Sequence, residues 1–409
     1  MLPEGWRTIR LGDVAQITSG GTPSRTNPDY WGGDIPWVTT GEIGNGSIQS
    51  TGECITKAGL RNSAAKMFPA GTLLMAMYGQ GKTRGQISRL AIDASTNQAC
   101  AAILPSRSAS GDFLFHNLIS RYDEIRNLSN DGSQKNLSGG LIKFLPVILP
   151  PLPEQRRIAE ILSTWDGAIE TVEKLIANAA AQKKALMQTL LTGKKRLPGF
   201  SGEWATVTLD KAAQIIVSNV DKKSVDTERA VRLCNYMDVY RSDRIDADMD
   251  FMAATAADAQ IRKFSLRVGD VLITKDSETP DDIAIPSFVG STAPDLVCGY
   301  HLAIIRPKNG TDGLFLKFYF EHPHTRHFFA SRANGATRFG LTIGAIQTAP
   351  IALPSFAEQQ RIGEVIGAAE LEIARLHPIA ASLRQEKSAL MQQLLTGKRR
   401  VKIELEAAA

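Results

Sequence analysis

No stretch of eighteen consecutive apolar residues occurs in the 409-residue sequence, and the opening MLPEGWRTIR has no apolar core. Neither a membrane-spanning helix nor a secretory leader is expected on that reading, which makes the cytoplasm the expected compartment. Cysteine is scarce: Cys54, Cys100, Cys234 and Cys298 are far apart with no CxxC pair. A zinc site is therefore not expected, and four buried, reduced thiols are. Charge of one sign is not in large excess either. Forty-seven Lys and Arg against 42 Asp and Glu leave a net +5, which permits an anionic partner without requiring one.

Catalytic signatures are missing in the same way. The nearest approach to the Asn/Asp-Pro-Pro-aromatic motif that holds a flipped base is NPDY, residues 27–30, where Asp29 stands in place of the second proline. It reads as a turn. HPHTRH offers His322, His324 and His327, but Pro323 breaks helical ligand geometry and no carboxylate or cysteine spacing completes a metal site. No Ser-His-Asp or paired-carboxylate arrangement stands out, so neither catalytic nor metal-ligating residues are assigned.

One motif does suggest a nucleotide. AMYGQGKT, residues 76–83, follows an apolar run and fits a loosened phosphate-loop pattern in which Ala replaces the first Gly. Lys82 would then reach terminal phosphates and Thr83 would hold magnesium at a helix N-terminus. The following RGQISRLAID puts Gly85 two residues after Thr83 and carries no 3.6-residue apolar period. A polar loop between two strands is expected there, with a nucleotide-binding loop as the rival.

What the sequence has in quantity is repetition. LPPLPEQRRIAEIL at 149–162 returns as LPSFAEQQRIGEVI at 353–366, and KALMQTLLTGKKR at 184–196 returns as SALMQQLLTGKRR at 388–400. The two 48-residue blocks align without a gap at an offset of 204 and share 20 identities, where unrelated sequences would share about three. A weaker echo at offset 198 links Trp6 to Trp204, Gln16-Ile17 to Gln214-Ile215, and FPAGTLLM to LRVGDVLI. At that offset the phosphate-loop lookalike falls on TKDSETPD, which keeps neither its glycines nor its lysine.

Each repeated block reads as a long helix. Pro150 and Pro151 stop a strand, Pro153 suits a first helical turn, and Glu154 faces the positive end of the dipole. A seven-residue stripe follows, with Ile158, Ile161, Leu162, Trp165, Ile169, Val172 and Leu186 in the first copy and Ile362, Val365, Ile366, Leu376, Leu383 and Leu390 in the second. Gly193 closes the first helix, and Pro378 is expected to kink or split the second. Two helices of about 57 Å, at 1.5 Å per residue, would expose these stripes unless they cover one another in antiparallel fashion or each packs on its own globule.

The fold expected is α+β: two globular heads separated by two long helices packed as an antiparallel coiled coil with pseudo-two-fold symmetry. The boundaries are 1–148 for the first head, 149–196 for the central helix, 197–352 for the second head, 353–400 for the C-terminal helix, and 401–409 for a tail outside the fold.

The doubled LP…EQ.RI and ALMQ.LLTGK blocks, together with IPWVTTGEIGNGSIQSTGECITKAGL, FPAGTLLMAMYGQGKTRGQI, STNQACAAILP and GSQKNLSGGLIKFLPVILPPLPEQ, resemble the specificity subunit of type I restriction-modification systems over residues 1–400. The resemblance implies that each head is a target recognition domain reading one half of a split DNA site, while the helix pair fixes the gap. It implies partners as well: two methyltransferase subunits carrying S-adenosylmethionine, and restriction/translocase subunits that use ATP and magnesium. The chain itself would hold no cofactor and catalyse nothing.

DNA readers use polar loops in which Arg and Lys meet phosphates or guanine and Asn and Gln meet adenine. In the first head Gln80, Lys82, Arg84 and Gln86 in the glycine-rich loop, Tyr30 and Trp31 in PDYWGG, and Gln134, Lys135 and Asn136 in GSQKN are the candidates. In the second they are Asn219, Lys222, Lys223, Lys275, Ser277, Arg332, Asn334 and Arg338. A helical scaffold whose heads grip protein is the other rival.

Overall fold

The computed structural model describes residues 2–79, 81–128 and 136–403, and the chain divides into two compact units. The first comprises Met1–Glu173 with Pro378–Ala409, the second Lys174–His377. Each unit therefore holds one head and a segment of each long helix.

In the first unit a five-stranded sheet runs in the order Ala15–Ser19, Cys100–Pro105, Leu73–Ala76, Ile87–Leu90, Ser47–Ile48. A four-stranded sheet runs Glu53–Ile55, Trp31–Val38, Ala94–Thr96, Met67–Phe68. Arg7–Arg10 and Pro146–Leu149 pair at the base of the head. The second unit repeats the five-stranded sheet as Ala213–Val217, Leu302–Pro307, Val271–Thr274, Pro286–Val289, Arg244–Ile245, and has a three-stranded sheet, Met252–Ala256, Arg229–Cys234, Leu296–Cys298, where the first has four strands. The offset drifts along the copy: Ala15 answers to Ala213, 198 residues on, Cys100 to Leu302, 202 on, and Pro146 to Pro350, 204 on. Small insertions thus account for the difference between the two offsets read from the sequence. The mixture of sheets and helices is the α+β class expected.

The long helices span Leu152–Leu190 and Phe356–Leu394. Pro378 lies within the second, which continues through it as helix. The expected split does not occur. The amide that proline lacks would have bonded the carbonyl of Ala374, an exposed position where water can take that role.

In the first unit Glu154, Asp166 and Glu173 meet Arg400, Lys387 and Arg384 in turn, so numbers rise along one helix as they fall along the other. In the second, Lys183 meets Glu370 and Arg196 meets Glu358. Within each unit the helix segments are therefore antiparallel. The ion pairs are themselves copies: Glu154–Arg400 becomes Glu358–Arg196, and Asp166–Lys387 becomes Glu370–Lys183, each at the repeat offset of 204.

The stripe is covered unevenly. Ile158 and Leu162 are buried with Met391, Leu394 and Phe113 in one core, and Ile362 and Ile366 with Met187, Leu190 and Phe315 in another. Ile161, Leu186, Val365 and Leu390 are half-buried against these cores. Trp165, Ile169, Val172 and Leu383 are half-buried and belong to neither, while Leu376 is buried. The two ways of covering the stripe therefore coexist, because each helix segment packs on both its neighbour and the head of its unit.

The EQ pair in each block supplies the polar joint. Glu154 is fully buried, so its role exceeds that of a dipole-facing carboxylate. Gln155, also buried, accepts the Ser110 N–H at 2.8 Å and donates to Pro150 O and Ser108 O at 2.8 and 3.3 Å. Gln359 repeats all three bonds with Asp312 N–H, Pro354 O and Gly310 O.

All four cysteines are free; three are buried and Cys54 is half-buried. Burial pushes the Cys100 thiol up to about 12. Of the expected tail, Val401 packs against the first core, and 404–409 lie outside the described residues. No helix among the described residues is long and apolar enough to cross a membrane.

Candidate nucleic-acid interface

In both heads several loops are tied together by backbone hydrogen bonds just beyond the ends of two interior strands of the five-stranded sheet. In the second head Lys275 N–H donates to His301 O at 2.8 Å, Leu341 N–H to Lys275 O at 2.9 Å, Tyr300 N–H to Val220 O at 2.8 Å and Gly299 N–H to Cys234 O at 2.8 Å. Asp276–Ser277 pairs with Phe339–Gly340. In the first head Met77 N–H donates to Ala99 O at 2.9 Å, Leu137 N–H to Met77 O at 3.0 Å, and Asn97 N–H to Val38 O at 3.1 Å. Three bonds of this loop node in the second head thus recur in the first, from sequence stretches that share almost no identity.

The node gathers most of the second-head candidates. Asn219, Lys222 and Lys223 flank Val220 and are exposed, and Asn334 and Arg338 are exposed on the segment that pairs with Asp276–Ser277. Gly335 makes that turn possible: its φ is +150°, and a Cβ there would lie 1.7 Å from Arg338 O. Arg332 is exposed with its guanidinium 3.7 Å from the Phe328 ring. Lys275 is held by Asp276 at 2.7 Å. Ser277 is buried and its hydroxyl donates to Thr279 O, so it shapes the loop and does not reach solvent.

The glycine-rich loop of the first head is the connection of an antiparallel hairpin between Leu73–Ala76 and Ile87–Leu90. Thr83 leads through a turn into the strand Ile87–Leu90 and not into a helix, which removes the N-terminal dipole that a phosphate loop needs. Left-handed Gly79, Gly81 and Gly85 turn the loop back onto the helix Tyr122–Asn127, where Tyr122 Oη donates to Lys82 O at 2.6 Å and Arg84 Nη2 to Arg126 O at 3.1 Å. Arg84 is thereby half-buried, Lys82 keeps an exposed side chain, and Gln86 is half-buried. Asn136 is half-buried beside Leu137 at the node; Gln80, Gln134 and Lys135 lie outside the described residues.

Tyr30 and Trp31 are not brought to the node. They sit at the start of the eight-residue strand whose other end, Val38, accepts the Asn97 amide, about 20 Å away at strand rise. Trp31 donates from Nε1 to Ser24 O, and its ring is capped by Arg25 at 3.7 Å, itself paired with Glu53.

Side chains at the node that sequence reasoning passed over are Tyr78, Gln98, Tyr300 and His301. Tyr78 is 42% exposed and Tyr300 50%. The signal was in the repeat: at an offset of 202, Gln98–Ala99 falls on Tyr300–His301, the same backbone position carrying different chemistry. Nearby, Tyr236 and Tyr240 stack at 5.6 Å, and burial pushes the Tyr236 phenol up to about 12, so it remains a neutral donor.

A second charged cluster lies within the second unit. Asp243, Glu321 and Glu370 bring carboxylate oxygens within 4.8 Å of one another, the spacing of a cation site. The buried Lys317 ammonium already occupies it, 2.5 Å from both glutamates, and Lys183 joins it. Lysine supplies the charge that a cation would bring.

Residues 3–179 match the family described as Type I restriction modification DNA specificity domain. Among curated relatives, the type I restriction enzyme MjaIX specificity subunit of Methanocaldococcus jannaschii is 30% identical over 195 residues, covering 45% of this chain and 43% of that one. The EcoR124I/EcoR124II specificity subunit of Escherichia coli is 27% identical over 171 residues, 41% and 42% of the two chains. The match thus spans less than half the length of these relatives. The putative MjaX specificity subunit of M. jannaschii is 23% identical over 98% of this chain and 95% of that one. The crystal structure of an S subunit of a type I restriction-modification system from M. genitalium superposes with a TM-score of 0.62 at 14% identity, covering 95% of this chain and 96% of that one, and shares the fold.

Proposed function

We propose, from a chain whose residues 3–179 form a type I restriction-modification DNA specificity domain, that this protein reads a split DNA sequence, one half with each head. One observation carries the reading: three backbone bonds of the loop node recur in both heads while the side chains presented there differ, as two heads recognising different half-sites require. The helix pair acts as the spacer between half-sites and as the platform for two methyltransferase subunits, with restriction/translocase subunits joining them. S-adenosylmethionine, ATP and magnesium belong to those partners, and this chain contributes recognition without catalysis. Its place of work is the cytoplasm.

The exposed Lys82, Lys222, Lys223 and Arg338 supply phosphate contacts. With a net charge of only +5 the lone chain binds modestly, and partner subunits closing round the duplex supply the rest. Selection of bound duplexes from a randomised library by the full chain tests the reading. Enrichment of a bipartite motif with a fixed gap is expected; recovery of random sequence, or of one undivided motif, refutes it. A nucleotide-binding role predicts stabilisation by ATP that Lys82→Ala abolishes, whereas the hairpin geometry of that loop predicts no ATP effect at all.

A further inference from the structure

Within the second head's node, one residue is held in a costly conformation. His301 has φ +73°, a left-handed backbone that residues with a Cβ rarely adopt and that persists only where the surroundings impose it. Here Lys275 N–H bonds its carbonyl and the preceding Tyr300 amide is tied to Val220. The side chain is fixed as well. Its Nδ1 lies 2.5 Å from Asp276 Oδ2, while Asp276 Oδ1 accepts from Lys275 Nζ. Nε2 has no hydrogen-bond partner among the described residues, and the side chain is 34% exposed. The exposed Tyr300 ring lies beside it, centroids 3.9 Å apart.

An imidazole anchored at one nitrogen and open at the other can serve as a base, a metal ligand or a hydrogen-bonding reader. No nucleophile is paired with it, and it belongs to no group of metal-ligating side chains among the described residues. In the first head the same position carries Gln98–Ala99, so the scaffold is kept while the presented chemistry changes.

We infer that His301 is a specificity-determining residue of the second head, its Nε2 bonding a base edge in the groove, with Asp276 as its positioning residue. The inference rests on the DNA-reading function proposed above. In the neutral imidazole whose Nδ1–H is donated to Asp276, Nε2 carries the lone pair and accepts. It therefore selects a base that presents an amino donor, adenine through N6 or cytosine through N4 in the major groove.

Library selection with the full-length wild type, His301→Asn and Asp276→Asn tests this, each variant first checked by circular dichroism and thermal unfolding. Asparagine tolerates the left-handed backbone, so it removes the imidazole without adding strain. Expected is a preference lost or changed at one A- or C-containing position of one half-site, about a tenfold drop for the original site, and an unaltered second half-site. Asp276→Asn should weaken the same position. An unchanged motif in His301→Asn, or uniform loss across all sequences, overturns the assignment. A wild type that enriches no split motif overturns the DNA-reading function itself and the inference with it.

Discussion

Glu154 and Arg400, 246 residues apart, form a two-bond ion pair: Arg400 Nε and Nη2 donate to the carboxylate at 3.1 and 2.9 Å, and Trp6 Nε1 donates to the same group at 3.0 Å. The carboxylate is fully buried. Glu154→Ala should destabilise the first unit by about 2 kcal/mol, as expected for a buried hydrogen-bonded group whose partners are left without it. Arg400→Ala should cost more, because it strands a buried carboxylate. Urea unfolding of both variants checks the order; an Arg400→Ala cost equal to or below that of Glu154→Ala contradicts it.

Gln155 joins the helix to the head through one acceptor bond and two donor bonds. Gln155→Ala should lower stability by about 2 kcal/mol. Gln155→Glu, nearly isosteric, should lower it further at pH 7, since a carboxylate would face the carbonyls of Pro150 and Ser108. Melting temperatures should therefore fall from wild type to alanine to glutamate; a glutamate variant as stable as wild type would mean those bonds are dispensable.

How far these joints were legible differs from residue to residue. The seven-residue stripe and the duplication located both long helices to within a few positions, since their period is local to the chain. Pro378 does not split its helix, because an exposed helix face can lose one backbone bond to water without breaking. Periodicity announced a stripe but not how completely it is covered: Trp165 and Val172 are half-buried, Ile158 and Leu162 fully buried. Glu154 looked like a dipole-facing residue because its true partner lies 246 residues away. Likewise, the Arg126 carbonyl that Arg84 grips belongs to a helix that begins nearly forty residues later, which no local pattern announces. Tyr300 and His301 stayed hidden because the node exists only when distant loops meet.

His116, 1% exposed, sits against Ser163 with Asp166, Lys387, Asp112 and Arg89 nearby. Burial, reinforced by the Lys387 ammonium, pushes its imidazole down to about 4. The unfolded chain takes up that proton near pH 6.5 and the folded one only near 4, so the unfolded state binds more protons between them. Stability should fall as pH drops through that window, by about 3 kcal/mol in total from this group. His116→Phe, which places the side chain type of the equivalent Phe318, should flatten that part of the pH profile; an unchanged slope would assign the loss to other groups.

If the helix pair is the spacer, its length sets the gap in the DNA site. One heptad inserted into both helices adds about 10.5 Å, or roughly three base pairs of duplex. The selected motif should keep both half-sites and gain about that much unspecified sequence between them. Altered half-sites with the old gap would contradict the ruler.

The most direct test is the pattern of methylated adenines in cells that carry methyltransferase partners, sequenced with and without this chain. The account predicts that a split motif appears only when the chain is present, and that exchanging the 77–99 and 275–301 node segments for those of another head alters one half at a time. An adenine methylation pattern that is the same in its presence and absence would contradict it.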